Sequence, residues 1–223
     1  MLSPDLYDFL NDLRENNNRE WFAENKKRYE EVFKKPLENV IEEFSPLLGQ
    51  LSPHFRAIPK GAGSSMFRIY RDTRFSKNKD PYKTWAALRF RHASGKDGVA
   101  PGFYIHMAPG NTWTAAGLWQ PESAALRSIR QAIDSNPSEW HRVKDAVEEA
   151  GLKWGGASLK RAPKGFDPDH PDIVDLRRKD FVVVKALPDD ALFAPDLLPR
   201  MAQEFGYALP LVRYIGDKVG LPV

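Results

Sequence analysis

Near residue 66 the spacing of apolar residues changes from a helical period near 3.6 to a strand period of two, and after about residue 120 it changes back. Few architectures accept that order. Helices first, strands together and helices last predict an α+β chain: N-terminal helices, a central antiparallel meander, and C-terminal helices packed on the sheet. Strictly alternating strand and helix, as in a parallel α/β sheet, does not fit. At 223 residues the chain can bury a real core as one domain. Its parts are a helical segment 1–53, a sheet-bearing core 54–120 and a helical and loop segment 121–223.

The helical stretches are explicit. "SPDLYDFLNDLRENN" places Pro4 at a first helical position and Leu6, Phe9, Leu10 and Leu13 on one stripe. The next apolar series runs through Trp21, Phe22, Tyr29, Val32 and Phe33 to Leu37, Val40, Ile41, Phe44 and Leu48, and Pro36 predicts a break within it. Four short runs follow, "MFRIY", "WAALRFRH", "GFYIHMA" and "TWTAAGLW", separated by turn signals such as "SGKDG" and "APGN". "ESAALRSIRQAID" and "PSEWHRVKDAVEEAG" read as amphipathic helices, 155–171 as a long loop, "FVVVKAL" as a buried strand and 189–219 as one or two helices.

Composition removes several classes of chemistry. The chain has no Cys, so disulfides, thiolate zinc sites, iron–sulfur clusters and cysteine nucleophiles are excluded. No stretch approaches the apolar length of a membrane helix, and the acidic opening lacks the pattern of a secretory signal. A cytoplasmic setting with no membrane partner is the expectation. The total charge of +3 hides an asymmetry. Between His54 and Gly98 there are eleven Lys or Arg against three Asp, a net +8, which leaves −5 for the rest.

Strand parity sorts that basic region into faces. Phe67 and Ile69, Leu88 and Phe90, and Phe103, Ile105 and Met107 form apolar sets; Arg68, Tyr70, Arg89, Arg91, Tyr104 and His106 form the opposing one. That second face is expected to be cationic, aromatic and without a carboxylate. It admits three explanations: simple solvent exposure, cover by acidic helices, or convergence of guanidinium forks on a carboxylate or phosphate. Continuing the first run would bury Arg71 unpaired, so the strand is expected to end near Tyr70 and to leave Arg71, Asp72, Arg74, Lys77 and Lys79 on a rim loop.

The candidate ligand-binding set is therefore Arg68, Arg71, Arg74, Lys79, Tyr82, Arg89, Arg91 and Tyr104, with an anionic small molecule as the suspected partner. His106, Asp72 and Tyr104 are the candidates for proton transfer. Asp72 reads either as a clamp on Arg68 or Arg71 or as a general base or metal ligand. An acidic protein partner and single-stranded nucleic acid are the alternatives, the latter because a basic aromatic sheet can stack bases. "KGAGSS" lacks the Lys-Ser/Thr ending of a phosphate loop. "GFDPDHPD" gathers Asp167, Asp169, His170 and Asp172, types that bind metals, yet its prolines favour a rigid loop that could fold over the basic rim. Trp85, Trp113 and Trp119 belong either to a pocket wall or to the core. There is no GxSxG elbow, no metal site is assigned, and no cofactor is named by the sequence.

The segment Arg68, Arg71, Asp72, Arg74, Phe75, Asn78, Lys79, Tyr82 resembles the hallmark of a widespread, mostly bacterial family, domain of unknown function 2461. "GFYIHMAPG", "GLWQP" with "LRSIRQAI", and "PKGFDPDHP" are similar to other recurring stretches of it. The resemblance covers nearly the whole chain and implies a single domain. It implies no activity, substrate or catalytic residue.

Overall fold

The structure is a computed structural model that describes residues 1–94 and 97–223, so Gly95 and Lys96 of the "SGKDG" turn lie outside the described residues. Helix α1 (Asp5–Glu15) buries the whole stripe Leu6, Phe9, Leu10 and Leu13. Helix α2 (Arg19–Glu24) is capped by Asn18, whose side chain accepts from the Trp21 N–H. Helix α3 (Lys26–Arg28), a π turn (Tyr29–Lys34) and α4 (Lys35–Leu51) then follow without interruption. Pro36 does not break this run as expected. The Lys35 N–H reaches back to the Glu30 carbonyl, and this wider turn relieves the ring clash that a proline makes with a standard helical turn before it.

Six antiparallel strands form one sheet in the order β1-β2-β3-β4-β6-β5. They are β1 (Phe55–Arg56), β2 (Ala86–His92), β3 (Gly102–Met107), β4 (Thr112–Leu118), β5 (Lys153–Gly155) and β6 (Phe181–Leu187). Strands β2, β3 and β4 are the expected meander, and "FVVVKAL" is the expected strand, laid beside β4. "MFRIY" is not a strand. It makes only isolated bridges, Met66 to Leu88 and Tyr70 to Tyr82, so four steps on one side span six on the other and the alternation of side chains breaks. Phe67 consequently leaves the face it was assigned to, while Ile69 stays buried.

Helices α5 (Ser123–Ser135) and α6 (Pro137–Glu149) separate β4 from β5, and the short α7 (Ile173–Leu176) precedes β6. A 3₁₀ turn (Asp189–Leu192) leads into α8 (Leu197–Lys218). One hydrophobic cluster runs from Leu2 to Ile215. It joins the N-terminal helices, the face of the sheet carrying Leu88, Phe90, Phe103 and Val183, and α8 through Phe205 and Leu211. Trp140 of α6 sits at its far end against Trp154, Phe181 and Tyr214. Among the described residues no helix is long and apolar enough to cross a membrane.

Candidate functional site on the second face of the sheet

The register aligns the opposite face into three rows that run across the strands. Arg89, Tyr104, Ala115, Val184 and Lys153 lie in one row. Arg91, Gly102, Gly117, Val182 and Gly155 lie in the next, and Ala87, His106, Trp113 and Ala186 on the other side of the first. The row of small residues is a trough. At Gly117 the trough is obligatory, because its φ is +123° and an added Cβ would stand 2.1 Å from the Phe181 carbonyl oxygen.

Above the trough is a cavity of about 540 Å³ lined by Phe67, Arg89, Tyr104, Trp113, Trp119 and Val184, among others, and by no helical residue. A second space of about 500 Å³ shares Trp113 and Val184 with it and extends to Lys153 and Ala186. The walls are aromatic. Tyr104 lies 5.1 Å from Trp113 and 5.8 Å from Phe67; beside this wall His106 stacks on Trp113 at 5.0 Å, and Trp85 is tilted against His106 at 5.1 Å. Trp119 lines the cavity too and is 55% exposed.

Two titratable groups at this wall touch. The Tyr104 hydroxyl and His106 Nδ1 are 3.0 Å apart. Burial pushes the phenol up to about 12 and pushes the imidazole down, so near neutral pH both are uncharged. A protonated phenol can donate to an unprotonated Nδ1, which places the imidazole hydrogen on Nε2. The pair is thus suited to holding or relaying a proton rather than to carrying charge.

The charge comes from β2. Arg89 Nη2 lies 3.1 Å and Arg91 Nε 3.4 Å from the same oxygen of Asp97. The face therefore does hold a carboxylate, contrary to the expectation from parity, because Asp97 comes from the turn after β2, where parity has no meaning. One carboxylate against two guanidiniums still leaves one positive charge in excess.

The rim loop is organised differently. Asp72 grips Arg74 in two hydrogen bonds, Nη2 to Oδ2 at 2.8 Å and Nε to Oδ1 at 3.0 Å, and these hold its carboxyl below the usual range. Asp72 is a clamp, but on Arg74 instead of Arg68 or Arg71. Arg71 lies 3.8 Å from Asp80, Lys79 donates to the Thr73 carbonyl at 2.9 Å, and Arg68 is exposed. Tyr82 stacks on Phe22 at 4.1 Å and is buried, which commits its ring to packing instead of a ligand. Arg68 and Tyr70 are not in the rows of the face that carries Arg89, Arg91, Tyr104 and His106, because the chain there is not a regular strand. The structure thus brings four of the named candidates together and leaves the loop cations apart.

Two contributors escape sequence reasoning: Phe67, whose parity points to the core face, and Lys153, in a strand of three residues. Outside the cavities, Lys83 donates to the carbonyls of Arg68 and Tyr70 while lying 5.5 Å over Trp85. Burial first, then Arg68 and Arg71, push the Lys83 ammonium down. Alternation in "FVVVKAL" was the available signal for the open face, since it separates Val182 and Val184 from Val183. The loop holding "GFDPDHPD" does not fold over the arginines. It docks on α5 and α6 through His170 to Asp134 at 3.3 Å and Asp172 to His141 at 2.7 Å. Among the described residues no group of three or more His, Cys, Asp or Glu could hold a metal ion.

Fold and face together define an α+β protein whose antiparallel sheet is covered by helices on one side and carries an aromatic, cation-ended groove on the other. The chain belongs to the family described as conserved hypothetical protein, DUF2461, whose pattern matches residues 5–214. No curated protein and no solved structure matches it.

Proposed function

We propose that the second face of the sheet binds a small molecule with a flat or apolar body and an anionic group, a carboxylate or phosphate, held at Arg89 and Arg91. The observation that carries this reading is a cavity of about 540 Å³ with aromatic walls and a guanidinium at one end. Arg suits that end because its planar fork matches a carboxylate or phosphate in two hydrogen bonds. If the bound molecule reacts, Tyr104 and His106 are the groups in place to move a proton. A bacterial, cytoplasmic setting is part of the proposal.

Tryptophan emission reads this site directly, since Trp113 and Trp119 line it. Titration with aryl and alkyl carboxylates, aryl phosphates, inorganic phosphate and sulfate is expected to quench emission and raise Tm for the organic anions. Arg89→Gln is expected to weaken their binding about tenfold, in keeping with the loss of a charge-assisted hydrogen bond. Silence across the whole panel sinks the reading.

Phe75 favours a second reading, docking of an acidic protein partner. This side chain is 95% exposed on the loop that carries Arg74, Lys77 and Lys79. In this reading the ring is the apolar anchor of the contact and the neighbouring cations meet the partner's acids.

A further inference from the structure

We infer that the ligand of this face is an elongated dianion, two acidic groups separated by an apolar span, lying across the strands with one end at Arg89 and Arg91 and the other at Lys153. This rests on the small-anion reading above and names the class of molecule it concerns. The row register supplies the first observation: Arg89 and Lys153 are the two ends of a single line that crosses five strands. Four inter-strand steps of about 4.8 Å put their backbones about 19 Å apart. Both side chains can lean inward, so the span between charges is shorter.

The second observation is the distribution of charge along that line. Between the ends stand Tyr104, Ala115 and Val184, flanked by Gly102, Gly117 and Val182, and none carries charge. Lys185 also borders the second space, but it belongs to the other strand parity and its charge is taken up by Glu204 at 3.0 Å. Lys153 makes no ion pair or side-chain hydrogen bond within the described residues, whereas Arg89 is partnered by Asp97. The third observation is adjacency. Trp113 and Val184 line both cavities, which sets the two spaces side by side along the row.

A nucleic-acid strand fits this pattern poorly. It carries a phosphate at every nucleotide and calls for cations all along its track, whereas the middle of this groove is neutral. An acid at each end of an apolar chain matches the cations where they occur and leaves the trough to the apolar part.

The test uses linear α,ω-dicarboxylates in a length series, against monocarboxylates of the same lengths, titrated into the full chain and followed by tryptophan emission and calorimetry. At a matching length the dicarboxylate is expected to bind about fivefold tighter than the monocarboxylate, the size of an exposed ion pair. Lys153→Ala is expected to remove that advantage and bring the two series to the same affinity, while Arg89→Gln weakens both series. Lys153 is exposed, and an unchanged Tm for Lys153→Ala verifies that the fold is intact. Equal affinity for mono- and dicarboxylates at every length overturns the dianion inference and leaves the anion reading standing. Absence of binding by either series overturns both.

Discussion

The two faces of the sheet are made from alternate residues of the same strands, yet they are finished in different ways. On one, Phe90, Phe103 and Val183 are fully buried against α4 and α8, with Phe103 4.9 Å from Phe205. On the other, Tyr104, Trp113 and Val184 are as apolar in bulk but only half covered, and polar tips appear among them. In the reading proposed above, the groove that these aromatics form between cations is where a ligand packs its apolar part.

Neighbouring residues on β3 give the largest test of that contrast. Phe103→Ala is expected to cost about 3–5 kcal/mol in urea unfolding, as a large cavity in a packed core does. Tyr104→Ala, one residue on, is expected to cost about 1 kcal/mol while abolishing the fluorescence response to ligand. Similar losses for both would erase the distinction between the faces.

A smaller effect comes from the ionic knot behind the covered face. Asp175 is 1% exposed and accepts from Trp140, Lys144 and Arg178 at 3.0, 3.0 and 2.9 Å. Burial works to raise its pKa, but the hydrogen bonds from Trp140, Lys144 and Arg178 outweigh it and hold the carboxyl below its ordinary value. A depressed folded value means the knot stabilises fully above the unfolded pKa, about 3.9, and loses that contribution as pH falls through the folded one. Asp175→Asn is expected to cost about 3 kcal/mol at pH 7 and less as pH drops below about 4, read from unfolding curves at each pH. A cost that does not change with pH contradicts the sign.

The smallest expected effect is at Phe75. Phe75→Ser is expected to leave stability within about 0.5 kcal/mol and groove binding unchanged, because the ring is almost fully exposed and meets the Arg74 guanidinium in a cation–π contact. A clear loss of Tm would mean that the rim loop supports the sheet after all.

Much of the fold was legible because periodicity is a local signal. The helices, the meander and "FVVVKAL" all announce themselves through spacing, and so does the separation of Phe103 and Ile105 from Tyr104 and His106. The site was only half legible, for three physical reasons. Parity assumes an unbroken strand, and the bulge opposite residues 82–88 moved Phe67 to the groove and took Arg68 out of it. Counting charges cannot see pairing, so the Asp72–Arg74 clamp and the shared Asp97 were invisible. Lys153 lies far along the chain in a strand too short to carry a pattern, and only the register with Val184 brings it into the row that starts at Arg89.

Under the anion-binding reading proposed above, Asp97 has one more effect. A carboxylate already seated between two guanidiniums is a built-in competitor, and any incoming acid must offer more than charge to displace it. Stray chloride or sulfate gains little from the exchange, whereas a molecule that also fills the aromatic trough gains the hydrophobic contribution as well. The pairing thus works as a threshold that makes shape, in addition to sign, the condition for entry.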